Sequence, residues 1–219
     1  MLPTIIAEDI CVGLVPKLVV FDLDETVWPN HCDRDTRAPY TTVDGNILDR
    51  YGRLSNCYPI IPLIISTLMD KGIPVAFATR NPSREEIIER LKSLVISGDR
   101  TLWSILPNDG YLQAYSSQGG TAKTKHFIAL QKVTGVSYRD MLFFDDDTYN
   151  ILYAEMLGVT GILVPKNIGF TLDLFINGMK TFQINAAKRI HVIEESLESG
   201  NSTETVEIQQ TTKKQKIEE

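Results

Sequence analysis

The sequence has few cysteines, few histidines and no long apolar run. Its three cysteines, Cys11, Cys32 and Cys57, are too few and too scattered for a disulfide framework or a closed zinc site. The longest apolar stretch, near residues 58–65, contains two prolines and is far shorter than the ~20 residues of a membrane-spanning helix. No basic region precedes an apolar N-terminal segment, so a signal peptide is not predicted. These absences favour a soluble protein of the reducing cytoplasm.

Basic residues are also in the minority. Lys and Arg total 22 against 28 Asp and Glu, and the formal net charge is −6. Nucleic acids and anionic membrane surfaces select basic proteins, so neither is an expected partner. The 219 residues, 43% of them hydrophobic, suffice for one globular domain with an appendage.

Five short apolar segments predict β-strands: Leu18–Phe21, Ile73–Ala78, Tyr111–Tyr115, Met141–Phe144 and Thr160–Val164. The first and fourth read LVVF and MLFF, without polar alternation. Such runs are typical of strands that are buried on both faces of a parallel sheet.

Helical patterns separate these strands, at residues 61–70, 82–94, 121–133 and 148–157. Before the second helix, Asn81 is a candidate N-cap, and Ser83 with Glu86 offers a capping box. Strands alternating with helices predict an α/β domain with a doubly wound, mostly parallel sheet.

Two stretches depart from this alternation. Residues 30–58 are polar and rich in turns, and Asp44-Gly45 predicts a small β-hairpin flap after the first strand. Residues 195–219 carry six Glu and no aromatic residue, which predicts a disordered acidic tail. The chain then divides into an N-terminal extension (1–16), one domain (17–194) and this tail. A protein partner for the tail is expected, and its KKQK is compatible with a nuclear address.

The most informative motif is FDLDET, in which Asp22 and Asp24 directly follow the first strand. In extended backbone these carboxylates point to the same side, at the strand end where α/β proteins bind ligands. Two adjacent negative charges are unfavourable in a crevice unless a cation balances them. Mg²⁺ prefers such carboxylate oxygens, whereas a turn that caps the next segment is the alternative.

A second acidic cluster ends the strand MLFF and consists of Asp145, Asp146 and Asp147, with Asn150 four residues after the middle one. Alone, the cluster is equally consistent with acidic residues at a helix N-terminus. Together with the first motif, it predicts oxygen ligands for one metal ion at neighbouring strand ends.

Two further motifs can bind an anion. Thr79 and Arg80 end the second strand just before a helix, where backbone N–H groups are available. Lys123 and Lys125 begin the third helix, from which a lysine can reach the crevice. A plain helix start and solvated lysines are the alternatives at these positions.

The order of these motifs resembles that of the haloacid dehalogenase superfamily, and more closely its magnesium-dependent phosphatase family of small, nearly capless members. The matching segments are PKLVVFDLDETVWP (16–29), DGNILDRYG (44–52), ATR (78–80), AKTKHFIALQKVTG (122–135), MLFFDDDTYNI (141–151) and, more loosely, ILVPKNIGFTLDLFINGM (162–179). The resemblance implies the Rossmann-like fold of that superfamily and a Mg²⁺ cofactor.

The resemblance also implies roles for the acidic residues. Asp22 would be the nucleophile, forming an aspartyl-phosphate, and would also bind the metal. Asp24 would protonate the leaving group, then activate water, with its main-chain carbonyl on the metal. Asp146 would be the remaining acidic ligand, with Asp145 and Asn150 in support.

The same resemblance implies that Thr79 and Arg80 would hold the phosphoryl oxygens. It favours Lys123 over Lys125 as the phosphate-binding lysine, because the family pattern Lys-x-x-His aligns with Lys123 and His126.

The resemblance therefore implies a Mg²⁺-dependent phosphomonoesterase whose substrate is phosphotyrosine, in a protein or as a small molecule, or a sugar phosphate. Two alternatives stay open from the residues. One is a phosphotransferase or phosphomutase of the same superfamily, and the other is a non-catalytic, phospho-accepting signalling module.

Overall fold

The computed structural model describes residues 13–116 and 123–215, with side chains described up to residue 193. The strands are β1 (Leu18–Phe21), β2 (Thr41–Val43), β3 (Asn46–Leu48), β4 (Val75–Thr79), β5 (Val95–Ser97), β6 (Arg100–Thr101), β7 (Leu112–Ala114), β8 (Met141–Asp145) and β9 (Thr160–Leu163). The α-helices are α1 (Ile61–Asp70), α2 (Arg84–Ser93), α3 (Thr124–Thr134), α4 (Thr148–Leu157) and α5 (Leu172–Gln215).

The centre of the fold is a parallel sheet with the strand order β7-β4-β1-β8-β9. Every residue of β1 is fully buried, as expected for an unbroken apolar strand in the middle of such a sheet. Val19 and Phe21 pack in the core beneath α1, α2 and α5, whereas Leu18 and Val20 pack in the core beneath α3 and α4. Helices thus cover both faces, and the predicted doubly wound α/β fold is confirmed.

Local signals explain where most helices begin and end. Helix α1 keeps its predicted bounds and stops at Lys71-Gly72. Helix α4 also keeps its bounds, because the Asp147 side chain accepts a hydrogen bond from the Tyr149 backbone N–H and Gly158 adopts a left-handed conformation. Helix α3 begins at Thr124, and the part of its prediction at 121–122 lies outside the described residues.

The prediction for α2 is wrong at its N-terminus. The helix begins at Arg84, and the Ser83 side chain makes no capping bond. Instead, Ser83 Oγ donates to Asp33 Oδ2 at 2.6 Å, and Asn81 Oδ1 accepts from the Ser83 backbone N–H at 2.9 Å. A tertiary hydrogen bond to Asp33 and a local one with Asn81 have therefore replaced the capping box.

The predicted β-hairpin flap is present as the antiparallel pair β2–β3. Asp44 and Gly45 both have positive φ angles, of 48° and 77°, which is the requirement of a type I′ turn. The hairpin is exposed except for its second strand, where Ile47 is 6% exposed. It therefore anchors one apolar side chain in the core and leaves its tip in solvent.

Helix α5 differs from the prediction of a disordered tail after residue 194. It continues to Gln215, through a segment rich in Glu, Lys and Gln. These residues are good helix formers, and extending an existing helix avoids the cost of nucleation. The predicted N-terminal extension lies outside the described residues except for 13–16. Among the described residues, no helix combines the length and apolar character required to cross a membrane.

Candidate active site

The carboxyl ends of β1, β4 and β8 meet at one edge of the sheet. Phe21 is aligned with Phe77 of β4 and with Phe144 of β8, so the residues that follow lie side by side. A cleft of about 320 Å³ opens there. Its lining includes all but one of the predicted site residues: Asp22, Asp24, Thr79, Arg80, Lys123, Asp146 and Asn150. The exception, Asp145, is fully buried beneath them.

Lys123 joins the two acidic motifs. Its ammonium group, 1% exposed, pairs with Asp22 Oδ1 and lies 2.5 Å from Asp145 Oδ2. Burial lowers the pKa of Lys123, but the two carboxylates outweigh that effect and leave the pKa raised. The lysine is therefore a permanent cation at the floor of the cleft. Lys125, the alternative, is exposed.

The negative charge around Asp22 exceeds the positive charge that Lys123 supplies. Burial raises its pKa well above the usual range; Lys123 opposes this, and Asp145 and Asp146 add to it. Carboxylate oxygens of these three aspartates lie within 4.8 Å of one another. A hard divalent cation suits this set of donors, because it would offset the repulsion that burial intensifies.

The two neighbouring aspartates differ in how many of their oxygens are already used. Asp145 accepts hydrogen bonds from Asn150 Nδ2, 3.0 Å from both carboxylate oxygens, and from the Asp147 backbone N–H at 2.7 Å. Asp146 forms one ion pair, with the exposed Lys166 at 2.8 Å. Asp145 is thus committed to the protein, whereas Asp146 is the carboxylate accessible from the cleft.

Asp24 is held by a separate set of donors. Its Oδ1 accepts from Trp28 Nε1 at 2.7 Å and from the Cys32 backbone N–H at 2.9 Å. Its Oδ2 accepts from Asn81 Nδ2 at 3.1 Å and lies 3.7 Å from His31 Nδ1. The side chain is therefore directed at the first turn of the flap and not at the other aspartates.

The end of β4 forms another side of the cleft. Thr79 is 2% exposed, and its Oγ1 accepts from the Asn81 backbone N–H at 3.2 Å. Arg80 is half exposed and pairs with Asp147 at 3.2 Å, with Asn150 Oδ1 at 3.5 Å. The structure thus brings the predicted Thr–Arg pair to the same cleft as Asp22.

His126 supports this side from below and does not line the cleft. Its Nε2 lies 2.9 Å from the Thr79 carbonyl and 3.1 Å from that of Tyr115, so this nitrogen carries the proton. Burial and the nearby Lys123 lower the pKa of His126 to about 4. The imidazole is therefore neutral, and its N–H fixes the backbone at Thr79.

Several residues that line the cleft are not among the predicted site residues: His31, Asp33, Arg34 and Lys166. A signal existed for Lys166, which follows β9 by three residues. Because β9 is the parallel neighbour of β8, its carboxyl end reaches the same edge of the sheet. His31, Asp33 and Arg34, which precede the β2–β3 hairpin, carried no comparable signal.

Comparison with known proteins agrees with this architecture. The Acid Phosphatase family matches residues 14–185. Human magnesium-dependent phosphatase 1 is 32% identical over 169 residues, which cover 77% of this chain and 88% of the human protein. An HAD-like hydrolase superfamily protein of Schizosaccharomyces pombe is 31% identical over 168 residues, or 75% of this chain and 95% of its own.

Among solved structures, the fold is similar to the N-terminal part of a Bacteroides fragilis protein that contains a phosphatase domain complexed with Mg. The TM-score is 0.51 at 18% sequence identity, and the match covers 82% of this chain and 44% of that one.

The family match spans most of the chain, and two relatives exceed 30% identity over three quarters of it. The resemblance inferred from the motifs is therefore confirmed. The chain belongs to the Acid Phosphatase family and, with it, to the haloacid dehalogenase-like hydrolases.

Proposed function

We propose that this chain, a magnesium-dependent phosphatase, hydrolyses phosphate monoesters through an aspartyl-phosphate on Asp22. The observation that carries the proposal is the placement of Asp22. Its carboxylate is held by the buried Lys123 at the floor of the cleft, with Asp24 and the Thr79–Arg80 pair around it. A nucleophile, an acid and cationic phosphate ligands thus converge on one small volume.

The first half-reaction follows from these positions. A carboxylate oxygen of Asp22 attacks phosphorus, and the bond from phosphorus to the ester oxygen breaks. Asp24 gives its proton to that departing oxygen. Lys123 and Arg80 balance the charge on the phosphoryl oxygens, and Thr79 hydrogen-bonds to them.

In the second half-reaction, Asp24 accepts a proton from water, whose oxygen attacks the phosphorus of the aspartyl-phosphate. Inorganic phosphate leaves and Asp22 is restored. Asp22, Asp146 and the main chain of Asp24 would hold Mg²⁺, with Asp145 and Asn150 as supporting residues. Bound there, Mg²⁺ supplies positive charge that neutralises the nucleophile and the phosphoryl group.

The lining of the cleft favours a sugar phosphate over phosphotyrosine as the substrate. The described residues that line it are charged or polar except for Pro82, and the imidazole of His31 is their one aromatic ring. Hydroxyl groups of a sugar would find hydrogen-bonding partners such as Asp33 and Arg34, whereas a phenyl ring would find no Phe, Tyr or Trp side chain to pack against. Hydrolysis is favoured over phosphotransfer, because the β2–β3 hairpin does not line the cleft and leaves it open to water.

The test is turnover of p-nitrophenyl phosphate with Mg²⁺ and with EDTA. Wild-type protein should be active only with the metal, and Asp22→Asn should lose roughly a thousandfold or more. Asp44→Asn is the matched control, since the same substitution at the exposed hairpin turn should change nothing. Full activity of Asp22→Asn would refute the mechanism.

Two product assays separate the alternatives. Formation of a glycerol phosphate ester in the presence of excess glycerol would indicate phosphotransfer. Stable phosphorylation of the protein without release of phosphate would indicate a signalling module. Comparing a hexose phosphate with phosphotyrosine tests the substrate class.

A further inference from the structure

One oxygen of the proposed acid, Asp24, is fully occupied by fixed donors. The indole N–H of Trp28 and the backbone N–H of Cys32 both donate to Oδ1, at 2.7 and 2.9 Å. These two bonds use both lone pairs of that oxygen. Oδ2 accepts one hydrogen bond, from Asn81 at 3.1 Å, and so keeps room for a proton. Of the two oxygens, Oδ2 is therefore the one that keeps a free lone pair.

Trp28 is itself held in place by Arg90, a residue of α2. The guanidinium carbon lies 4.2 Å from the indole ring, and both side chains are fully buried. Arg90 forms no ion pair with any described carboxylate. Instead it donates to the Ser55 carbonyl at 3.0 and 3.3 Å, to Asn30 Oδ1 at 2.8 Å and to Thr36 Oγ1 at 3.2 Å.

A buried guanidinium loses its hydration, and this costs free energy when no carboxylate pairs with it. Hydrogen bonds from its N–H groups to oxygens of neighbouring residues must therefore compensate. Three of these neighbours belong to the flap region, and the fourth is the ring that donates to Asp24. A cation over the ring face is attracted to the indole and fixes its orientation. Arg90 thereby links the flap to the carboxyl group of Asp24.

We propose that Trp28 is a positioning residue for proton transfer and that Arg90 fixes its indole. The indole N–H occupies Oδ1, so that Oδ2 carries the proton that Asp24 delivers. In that step the Oδ2–H bond breaks, its electron pair stays on Asp24, and the proton joins the ester oxygen as that oxygen leaves phosphorus. The proposal rests on the function proposed above for Asp24.

The dependence of rate on the leaving group tests this role. Nitrophenolate leaves as a stable anion, whereas the alkoxide of glycerol leaves only when it is protonated. Trp28→Phe keeps an aromatic ring beneath Arg90 and removes the N–H donor. We expect it to lose roughly tenfold more kcat/KM on β-glycerophosphate than on p-nitrophenyl phosphate. Because both rates come from one preparation, their ratio is insensitive to a misfolded fraction.

Trp103→Phe is the matched control, because Trp103 packs at the edge of the core and does not line the cleft. It should leave the ratio at the wild-type value, and Asp24→Asn should change it in the same direction as Trp28→Phe. Equal losses on both esters, or no loss, in Trp28→Phe would overturn the positioning role alone. A wild-type protein without Mg²⁺-dependent turnover of either ester would overturn the proposed function and this inference with it.

Discussion

The ammonium nitrogen of Lys166 lies 2.8 Å from Oδ2 of Asp146, on the solvent side of the carboxylate cluster. The lysine side chain is 62% exposed and that of Asp146 is 9% exposed. Of the three clustered aspartates, Asp146 is therefore the one paired with an exposed cation. A metal ion that binds Asp146 competes with this lysine for the same oxygen.

Removing this competitor should strengthen metal binding. We expect Lys166→Met to reduce the Mg²⁺ concentration for half-maximal phosphatase activity by roughly two- to fivefold, the size of one exposed ion pair. The control is Lys17→Met, which removes a comparable exposed pair with Asp140, 2.9 Å apart and away from the cleft. A higher Mg²⁺ requirement in Lys166→Met would show that the lysine does not compete with the metal.

A second prediction concerns the buried lysine. Lys123→Met leaves Asp22 and Asp145 without their cation, and removing one partner of such a buried group costs about 3–5 kcal/mol. Urea unfolding in EDTA should show this loss in the free energy of unfolding, and Mg²⁺ should restore part of it. Lys125→Met is the control, because that exposed lysine lies in the first turn of α3 and does not line the cleft. Equal stability of the two variants would contradict the buried pairing.

The sequence predicted those parts of the fold that depend on local patterns. The bounds of α1 and α4 followed from an apolar periodicity and from their stop signals at Gly72 and Gly158. The strand ends placed Asp22 beside Asp145 because parallel strands share an edge. These inferences needed only neighbouring residues and one topological rule.

What the sequence did not reveal depends on contacts between distant segments. The sequence around Ser83 predicted a helix cap, but the Ser83 hydroxyl donates its hydrogen bond to Asp33, fifty positions earlier in the chain. Arg90 belongs to a helix whose sequence is mostly charged, yet it is fully buried against Trp28. Periodicity cannot report a cation that packs on an aromatic ring sixty-two positions away, because the partner is chosen by the tertiary fold.

A third prediction tests the packing of α5 on the sheet. A Cβ atom added at Gly178 would lie 2.7 Å from Cζ of Phe144 and 3.3 Å from Cγ1 of Ile162. We expect Gly178→Ala to destabilise the protein by about 1–3 kcal/mol through overpacking, despite the better helix propensity of alanine. Asn177→Ala, on the exposed side of the same turn, should be close to neutral. Thermal unfolding of wild type and both variants measures these changes in stability. A Gly178→Ala protein more stable than wild type would contradict this packing.

The last prediction is a pH dependence of stability that originates at His126. Its pKa is about 4 in the folded protein against an ordinary value of 6.5, so the unfolded chain binds the proton more tightly. The histidine therefore contributes its full stability above about pH 6.5 and loses it as the pH falls towards 4, by roughly 3 kcal/mol in total. His126→Gln keeps a donor for the Thr79 carbonyl and does not titrate. Urea unfolding between pH 4 and 7 should show a weaker pH dependence for this variant than for wild type, whereas His191→Gln, at an exposed position, should match wild type. An identical slope in wild type and His126→Gln would mean that other groups account for the acid sensitivity.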